Sequence, residues 1–313
     1  MADSNIQSVT FRNPDMYWDM AADIYLPAGF DENASYPAVV AAHPIGSCKE
    51  QTAGNIYATA LAEAGYVAIA FDASFQGESG GEPRRLEDPA QRVEDFSRVV
   101  DYLVTLPYVD ADRIGVLGVC GGGGYAWAAA KTEKRFKAVV SATGVNYGRM
   151  SRENSAAAGG TIEALRAIAA QRSAEIRGEA ESSMNAALAP SAEAAQQIGD
   201  IDVIEAYDYY CTPRAQHPNG TATFEVAHGA SVMAWDAFHL ADELLDQPLL
   251  VIVGDKQGAF GAYRDGHEIY ERAASADKQL LVIEGASHYD IYDRPNGAGK
   301  AVEAAVPFFQ KHL

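Results

Sequence analysis

Basic residues are scarce in this chain. Lysine and arginine number 24 against 43 aspartates and glutamates, leaving a formal charge of -19 at pH 7 over 313 residues. Nucleic acids and anionic membrane surfaces both call for clustered cationic side chains, so neither is an expected partner. Cysteine is also sparse. Three cysteines, with no CxxC and no Cys/His spacing of the kind that ligates zinc, do not make a disulfide framework or a local metal site. A reducing compartment fits that usage, and a cytoplasmic protein is expected. No apolar run approaches the ~18 residues of a membrane span, and the first twenty residues carry Asp3, Asp15 and Asp19 where a signal peptide has an apolar core.

What is present is an alternation of short apolar runs with helix-compatible segments. Ser8 to Arg12 and Met20 to Leu26 read as edge strands, ended by Pro27-Ala28-Gly29. Tyr36 to Ala42, Tyr66 to Phe71, Arg113 to Val119, Phe136 to Thr143, Pro248 to Val253 and Gln279 to Ile283 read as buried strands. Between them, Gln51 to Ala64, Pro89 to Leu106, Tyr125 to Lys131, Ala262 to Ala274 and Lys300 to His312 carry helical spacing. Such a rhythm implies βαβ units and a mostly parallel sheet covered on both faces. It breaks between residues 145 and 245, where an alanine- and glutamate-rich stretch, roughly Thr161 to Gln197, precedes an aromatic segment. The expected organisation is therefore a core of residues 1–144 and 246–313 with an inserted, mainly helical cap of residues 145–245. Tyr207, Tyr209, Tyr210, Trp235 and Phe238 are the candidate apolar pocket walls in that cap.

The densest signal is Gly118-Val119-Cys120-Gly121-Gly122, where a buried strand runs into a glycine-crowded turn with cysteine at its apex. A nucleophile at a strand-to-helix elbow needs glycine on both sides, because neighbouring side chains would collide with strand and helix. Acyl transfer also needs a base, a group that orients it, and donors for the oxyanion. His288, in Gly285-Ala286-Ser287-His288 after the last strand, is the expected base. The amide of Gly121 opens a helix, where unpaired N–H groups favour negative charge, and Ile45 in His43-Pro44-Ile45-Gly46 supplies the second expected donor, since Pro44 has no N–H to give. His43 is expected to shape its loop. Glu50 is expected to meet either the nucleophile or Lys49, Arg84 and Arg85 either an anionic substrate or local carboxylates, and Cys48 and Cys211 are expected to be structural.

The elbow, the HPxG loop, the segment Asp72 to Ser79, the lead-in Val109 to Gly115 and the Gly285–His288 loop, in this order, resemble the α/β-hydrolase superfamily. Cysteine in place of serine resembles its dienelactone-hydrolase-like branch. The resemblance implies the α/β-hydrolase fold, with an eight-stranded, mostly parallel sheet, and a Cys/His/acid triad that hydrolyses activated esters, lactones or thioesters. It implies no metal and no cofactor, and a small molecule as the partner. Relatives carry the acid after the next-to-last strand in a loop of the form G-[ED]-x-D. Here that loop is Gly254-Asp255-Lys256-Gln257, so Gln257 takes the usual carboxylate position. Asp255 is the expected acid, with Asp236 and Asp265 as rivals. An acyltransferase or peptidase on the same scaffold, or a silent small-ligand binder, are the alternative readings; the oligomeric state is left open, a homodimer included.

Overall fold

Apolar runs that are buried on both sides need helices on both faces, and that requirement organises the chain. The computed structural model describes residues 5–186 and 188–313. Its main sheet contains β1 (Ile6–Phe11), β2 (Met20–Tyr25), β3 (Tyr36–Ala42), β4 (Val67–Phe71), β5 (Val109–Val119), β6 (Phe136–Ala142), β9 (Leu249–Gly254) and β10 (Lys278–Ile283). The two short strands β7 (Met184–Ala186) and β8 (Thr223–Glu225) form a separate antiparallel ribbon. The eight strands lie in the order β1-β2-β4-β3-β5-β6-β9-β10. β2 runs antiparallel to both neighbours, and every pairing from β4 through β10 is parallel. This is the α/β-hydrolase sheet that the motif order implied.

Alternate residues of the central strands feed two cores. Val40, Ile69 and Val116 face one side with Phe96, Val99 and Trp127, while Val39, Ala68 and Leu117 face the other with Tyr57, Leu61, Phe308 and Phe309. Each large side chain so enclosed contributes about 1.5–3 kcal/mol relative to exposure. The helix Pro89–Leu103 starts sharply because Asp88 accepts the N–H groups of Ala90 and Gln91, and Pro89 occupies a first-turn position that needs no donor. Burial holds the Asp72 carboxyl up at about 7, yet its two oxygens accept the amides of Lys49 and Glu78, each at 2.8 Å. That carboxyl therefore ties the loop after β4 to the loop after β3.

Among the described residues, 145–245 contribute helices and the short ribbon and no strand of the main sheet. The helical stretch read as one piece consists of the helices Thr161–Ile176 and Ala192–Ile198 with β7 between them, and residue 187 lies outside the described residues. The helix Ile201–Cys211 follows, begun by Asp200 accepting the amides of Asp202 and Val203. No helix among the described residues is long and apolar enough to cross a membrane.

Candidate active site

The elbow is built by close approach. A Cβ on Gly118 would run into the carbonyl of Gly122, and one on Gly122 would lie 2.6 Å from the carbonyl oxygens of Ala42 and His43. Cys120 sits between them at φ 54°, ψ -124°, a left-handed setting for a non-glycine residue, and caps the helix Gly121–Ala130. Such strain persists only where surrounding structure enforces it, here β5 on one side and the glycine-opened helix on the other. The amides of Gly121 and Ile45 both favour the Cys120 anion, and the Ile45 side chain packs against Gly121. The two amides expected to face an oxyanion are therefore brought together with the apex cysteine.

Burial dominates the chemistry of the thiol. Cys120 is 7 % exposed, and although the Tyr292 hydroxyl and the two amides favour its anion, desolvation pushes the thiol up to about 11. At neutral pH only ~10⁻⁴ of it would ionise unaided, so the base matters more than a free thiol's ordinary value suggested. His288 is also buried, and desolvation pushes it down to about 3. The resting pair is a neutral thiol and a neutral imidazole.

The imidazole is oriented differently from expectation. Its Nδ1 lies 2.8 Å from the Thr143 hydroxyl, at the end of β6, and its Nε2 lies 3.4 Å from the Tyr292 hydroxyl, one helical turn downstream. Among the described residues, His288 makes no direct hydrogen bond to the Cys120 thiol. The Tyr292 hydroxyl that lies beside Nε2 also favours the Cys120 anion. Thr143 has φ 47° and donates its amide to the Ile252 carbonyl at 2.7 Å, which fixes the hydroxyl between the elbow strand and the histidine loop.

Asp255 is corrected by this geometry. It is exposed, and its Oδ1 accepts the Gly285 amide at 2.7 Å, so it braces the histidine loop and does not reach the ring. Asp236 accepts from Asn146 and the Phe238 amide, and Asp265 accepts from the Asn146 amide and Arg149; neither reaches His288. Two carboxylates share a cavity with Thr143 and His288: Glu153, which pairs with Arg149 and Arg264, and Asp202, from the helix Ile201–Cys211. Of these, Asp202 is the buried one. It is 1 % exposed; its Oδ2 accepts the Phe260 amide at 2.8 Å, while its buried Oδ1 has no partner among the described residues. Desolvation raises it to about 7.

Cys120 opens on the other side into an apolar cavity of about 430 Å³, walled by Val145, Met150, Ile168, Phe224, Val232 and Phe260. Of the five aromatic residues expected as pocket walls, Tyr210 lines it. Trp235 and Phe238 instead pack in the core against Tyr125 and Trp127, and Tyr209 is buried with its hydroxyl accepting the Thr52 amide. Two carboxylates also reach the wall, Glu87 and Glu225. Glu87 is engaged by the Tyr125 hydroxyl at 2.7 Å, the Gln76 amide at 2.6 Å and Arg92 at 3.4 Å.

The remaining expectations resolve as follows. His43 shapes its loop as a buried neutral ring, donating from Nδ1 to the Pro44 carbonyl and accepting at Nε2 from the Ala73 amide and Arg92. Glu50 pairs with Lys49. Arg84 donates to loop carbonyls at Gly77, Ser79 and Gly81, and Arg85 to the Thr223 hydroxyl, so neither is paired with a carboxylate. Cys48, read as lacking a basic partner, lies 3.2 Å from His217 Nδ1.

Comparison with known proteins agrees with this architecture. The family model of the X-Pro dipeptidyl-peptidase (S15 family) matches residues 18–288. The chain is 39 % identical over 316 residues to the uncharacterized protein YcjY of Escherichia coli (strain K12), covering 100 % of both chains. The crystal structure of the hypothetical protein PA2218 from Pseudomonas aeruginosa superposes with a TM-score of 0.86 at 33 % identity, over 100 % of this chain and 95 % of that one. The α/β hydrolase GrgF from Penicillium sp. sh18 shares the fold at a TM-score of 0.78 and 18 % identity, over 98 % and 99 % of the two chains. With a family match across residues 18–288, the chain belongs to the X-Pro dipeptidyl-peptidase (S15) family of the α/β-hydrolase superfamily.

Proposed function

We propose that this protein is a cysteine hydrolase of the dienelactone-hydrolase-like type, acting on activated esters, lactones or thioesters with an apolar acyl part. The observation that carries the reading is the sulfur of Cys120, whose anion the amides of Ile45 and Gly121 favour and which opens into the apolar cavity. Those donors can hold the oxyanion of a tetrahedral intermediate, a role worth about 3–4 kcal/mol per donor.

In the proposed cycle the Tyr292 hydroxyl passes its proton to His288 Nε2 while taking the thiol proton, and the thiolate attacks the substrate carbonyl carbon. Thr143 accepts the Nδ1–H of His288 and holds the ring in that tautomer. Asp202, ionised, compensates the imidazolium across the shared cavity. Collapse of the intermediate expels the leaving group with the proton from His288, forming a thioester on Cys120. Water, deprotonated by His288, then releases the acid and restores the thiol. Good leaving groups suit this route, because a poorer alkoxide would let the sulfur depart instead.

A second reading, peptidase, is favoured by the family match and by Glu225 and Glu87 on the cavity wall, which could receive a substrate ammonium. The engagement of Glu87 with Arg92 and Tyr125 weakens it. A panel of aryl esters, enol lactones, acyl thioesters and X-Pro anilides, run on wild type and Cys120→Ala, decides between the two. The proposal expects turnover of the acyl substrates with apolar chains and at least a ~10³-fold loss in the variant. Anilide turnover without ester turnover would transfer the assignment to peptidase.

A further inference from the structure

We propose that Cys48, Glu50 and His217 form a binding site for a divalent cation of the zinc type, separate from the Cys120 site. The three ligand atoms lie within 4.8 Å of one another. Cys48 Sγ is 3.2 Å from His217 Nδ1, and Glu50 Oε2 is 3.9 Å from the same nitrogen.

That shared nitrogen decides what the cluster is suited to do. In a proton relay the thiol and the carboxylate face opposite nitrogens of the ring, so that a proton entering at one is balanced at the other. Here thiol and carboxylate converge on one lone pair, the arrangement of ligands around a single centre. Nδ1 also accepts the Asn219 amide at 3.3 Å, so it is the nitrogen carrying the lone pair. Thiolate, imidazole and carboxylate are the zinc donors, and three protein ligands leave a fourth tetrahedral position for water.

The carboxylate is prepared for the role. Glu50 Oε1 is held by Lys49, and Oε2 is buried without an N–H or O–H donor among the described residues. An outer partner of that kind orients a ligating oxygen. The neighbouring group Glu50, Asp72 and Glu78 offers a contrast: the Lys49 ammonium already serves it, 2.5 Å from Glu50 and 3.1 Å from Glu78. Cys48 is fully buried, while the His217 side chain is 31 % exposed and gives the ion a path from solvent.

Binding would form a metal–sulfur bond and release the Cys48 thiol proton to solvent, one proton per ion. It would also join two segments that already touch, since the Ala222 amide donates to the Gly46 carbonyl at 3.0 Å and Gln51 donates to the Ala215 carbonyl at 2.7 Å. Cys48 follows Ile45 by three residues, so the ion would pin cap residues 215–222 onto the loop that carries the Ile45 amide. The separation of 169 positions from Cys48 to His217 is why no ligand spacing is visible in the sequence.

The test is titration of chelator-stripped, reduced full-length protein with Co²⁺ and then Zn²⁺, recording thiolate-to-cobalt charge-transfer absorption, proton release and thermal midpoint. One equivalent of Co²⁺, displaced by Zn²⁺ with the absorption band intact in Cys120→Ser, is expected. Cys48→Ser should abolish the band, and His217→Ala and Glu50→Gln should each weaken binding at least about tenfold. Because Cys48 is buried, the half-exposed His217 provides the variant least coupled to folding, and its loss should also remove the Zn²⁺-induced rise in midpoint. The inference is overturned if no saturable binding occurs at micromolar ion, if His217→Ala binds as wild type does, or if the band disappears in Cys120→Ser.

Discussion

Replacing Asp202 by asparagine should make the protein more stable and slower at once. The native carboxyl is raised from 3.8 to about 7 by burial, against only one hydrogen bond that favours its anion. A folded-state value above the unfolded one means that the folded chain holds the proton more tightly between pH 4 and 7. Stability is therefore lost as pH rises through that window, and the loss is complete above 7. About three units at 1.36 kcal/mol each sets a ceiling of about 4 kcal/mol at pH 8. Asparagine keeps an oxygen for the Phe260 amide but brings two N–H donors to the place where Oδ1 has no partner, a cost of about 1–3 kcal/mol. The net expectation is a gain of about 1–3 kcal/mol. With an unfolding entropy near 2.1 cal/mol/K per residue, this is a rise of about 2–5 °C in Tm at pH 8. Calorimetry at pH 8 and pH 4 reads it: at the lower pH the folded carboxyl is protonated and most of its penalty is gone, so the gain should be lost and the cost of the asparagine donors should leave the variant no more stable than wild type. The same variant should lose about tenfold or more in kcat, since the imidazolium of His288 then lacks a compensating charge. A lower Tm at pH 8, or an unchanged kcat, refutes the role given to Asp202.

Tyr292→Phe distinguishes relay from direct proton transfer: kcat should fall by about 10²-fold with KM little changed, whereas wild-type turnover would mean that Cys120 and His288 meet without the hydroxyl. Thr143→Val removes the Nδ1 partner at nearly constant volume and should lower kcat about tenfold, measured beside Thr143→Ser, which should restore most of it. Gly118→Ala puts a methyl into the Gly122 carbonyl, so soluble yield and Tm should drop together by more than a surface substitution produces; an unperturbed, active variant would show that the elbow does not need the close approach.

The parts of the site legible in the sequence are those fixed by local chain chemistry. A cysteine held at positive φ between strand and helix demands glycines around it, and Gly118, Gly121 and Gly122 all lie within two residues of it. The loop ending at His288 is marked by its place after the last strand. Ile45 follows from Pro44 having no N–H to donate. The acid proposed above was not legible, because Asp202 comes from a helix whose packing against the core is a matter of tertiary contact, with no periodic signal that selects it. Asp255 occupies the right loop but spends its carboxylate on the Gly285 amide. Two features did leave traces. Tyr292 lies four residues beyond His288, and the residue after β6 sits at the strand end between the elbow and the histidine loop, which is where Thr143 stands. Large rings spaced along this segment serve the core as readily as a cavity, which is how Trp235, Phe238 and Tyr209 divide from Tyr210.

The central claim is that the sulfur of Cys120 attacks the substrate. Rapid acid quench of the protein with a p-nitrophenyl acyl ester, followed by proteolysis and mass spectrometry, tests it most directly. An acyl mass on the peptide bearing Cys120, lost on hydroxylamine treatment and absent from Cys120→Ala, is the expected result. Turnover by Cys120→Ala at the wild-type rate, or an acyl group carried by another residue, would contradict it.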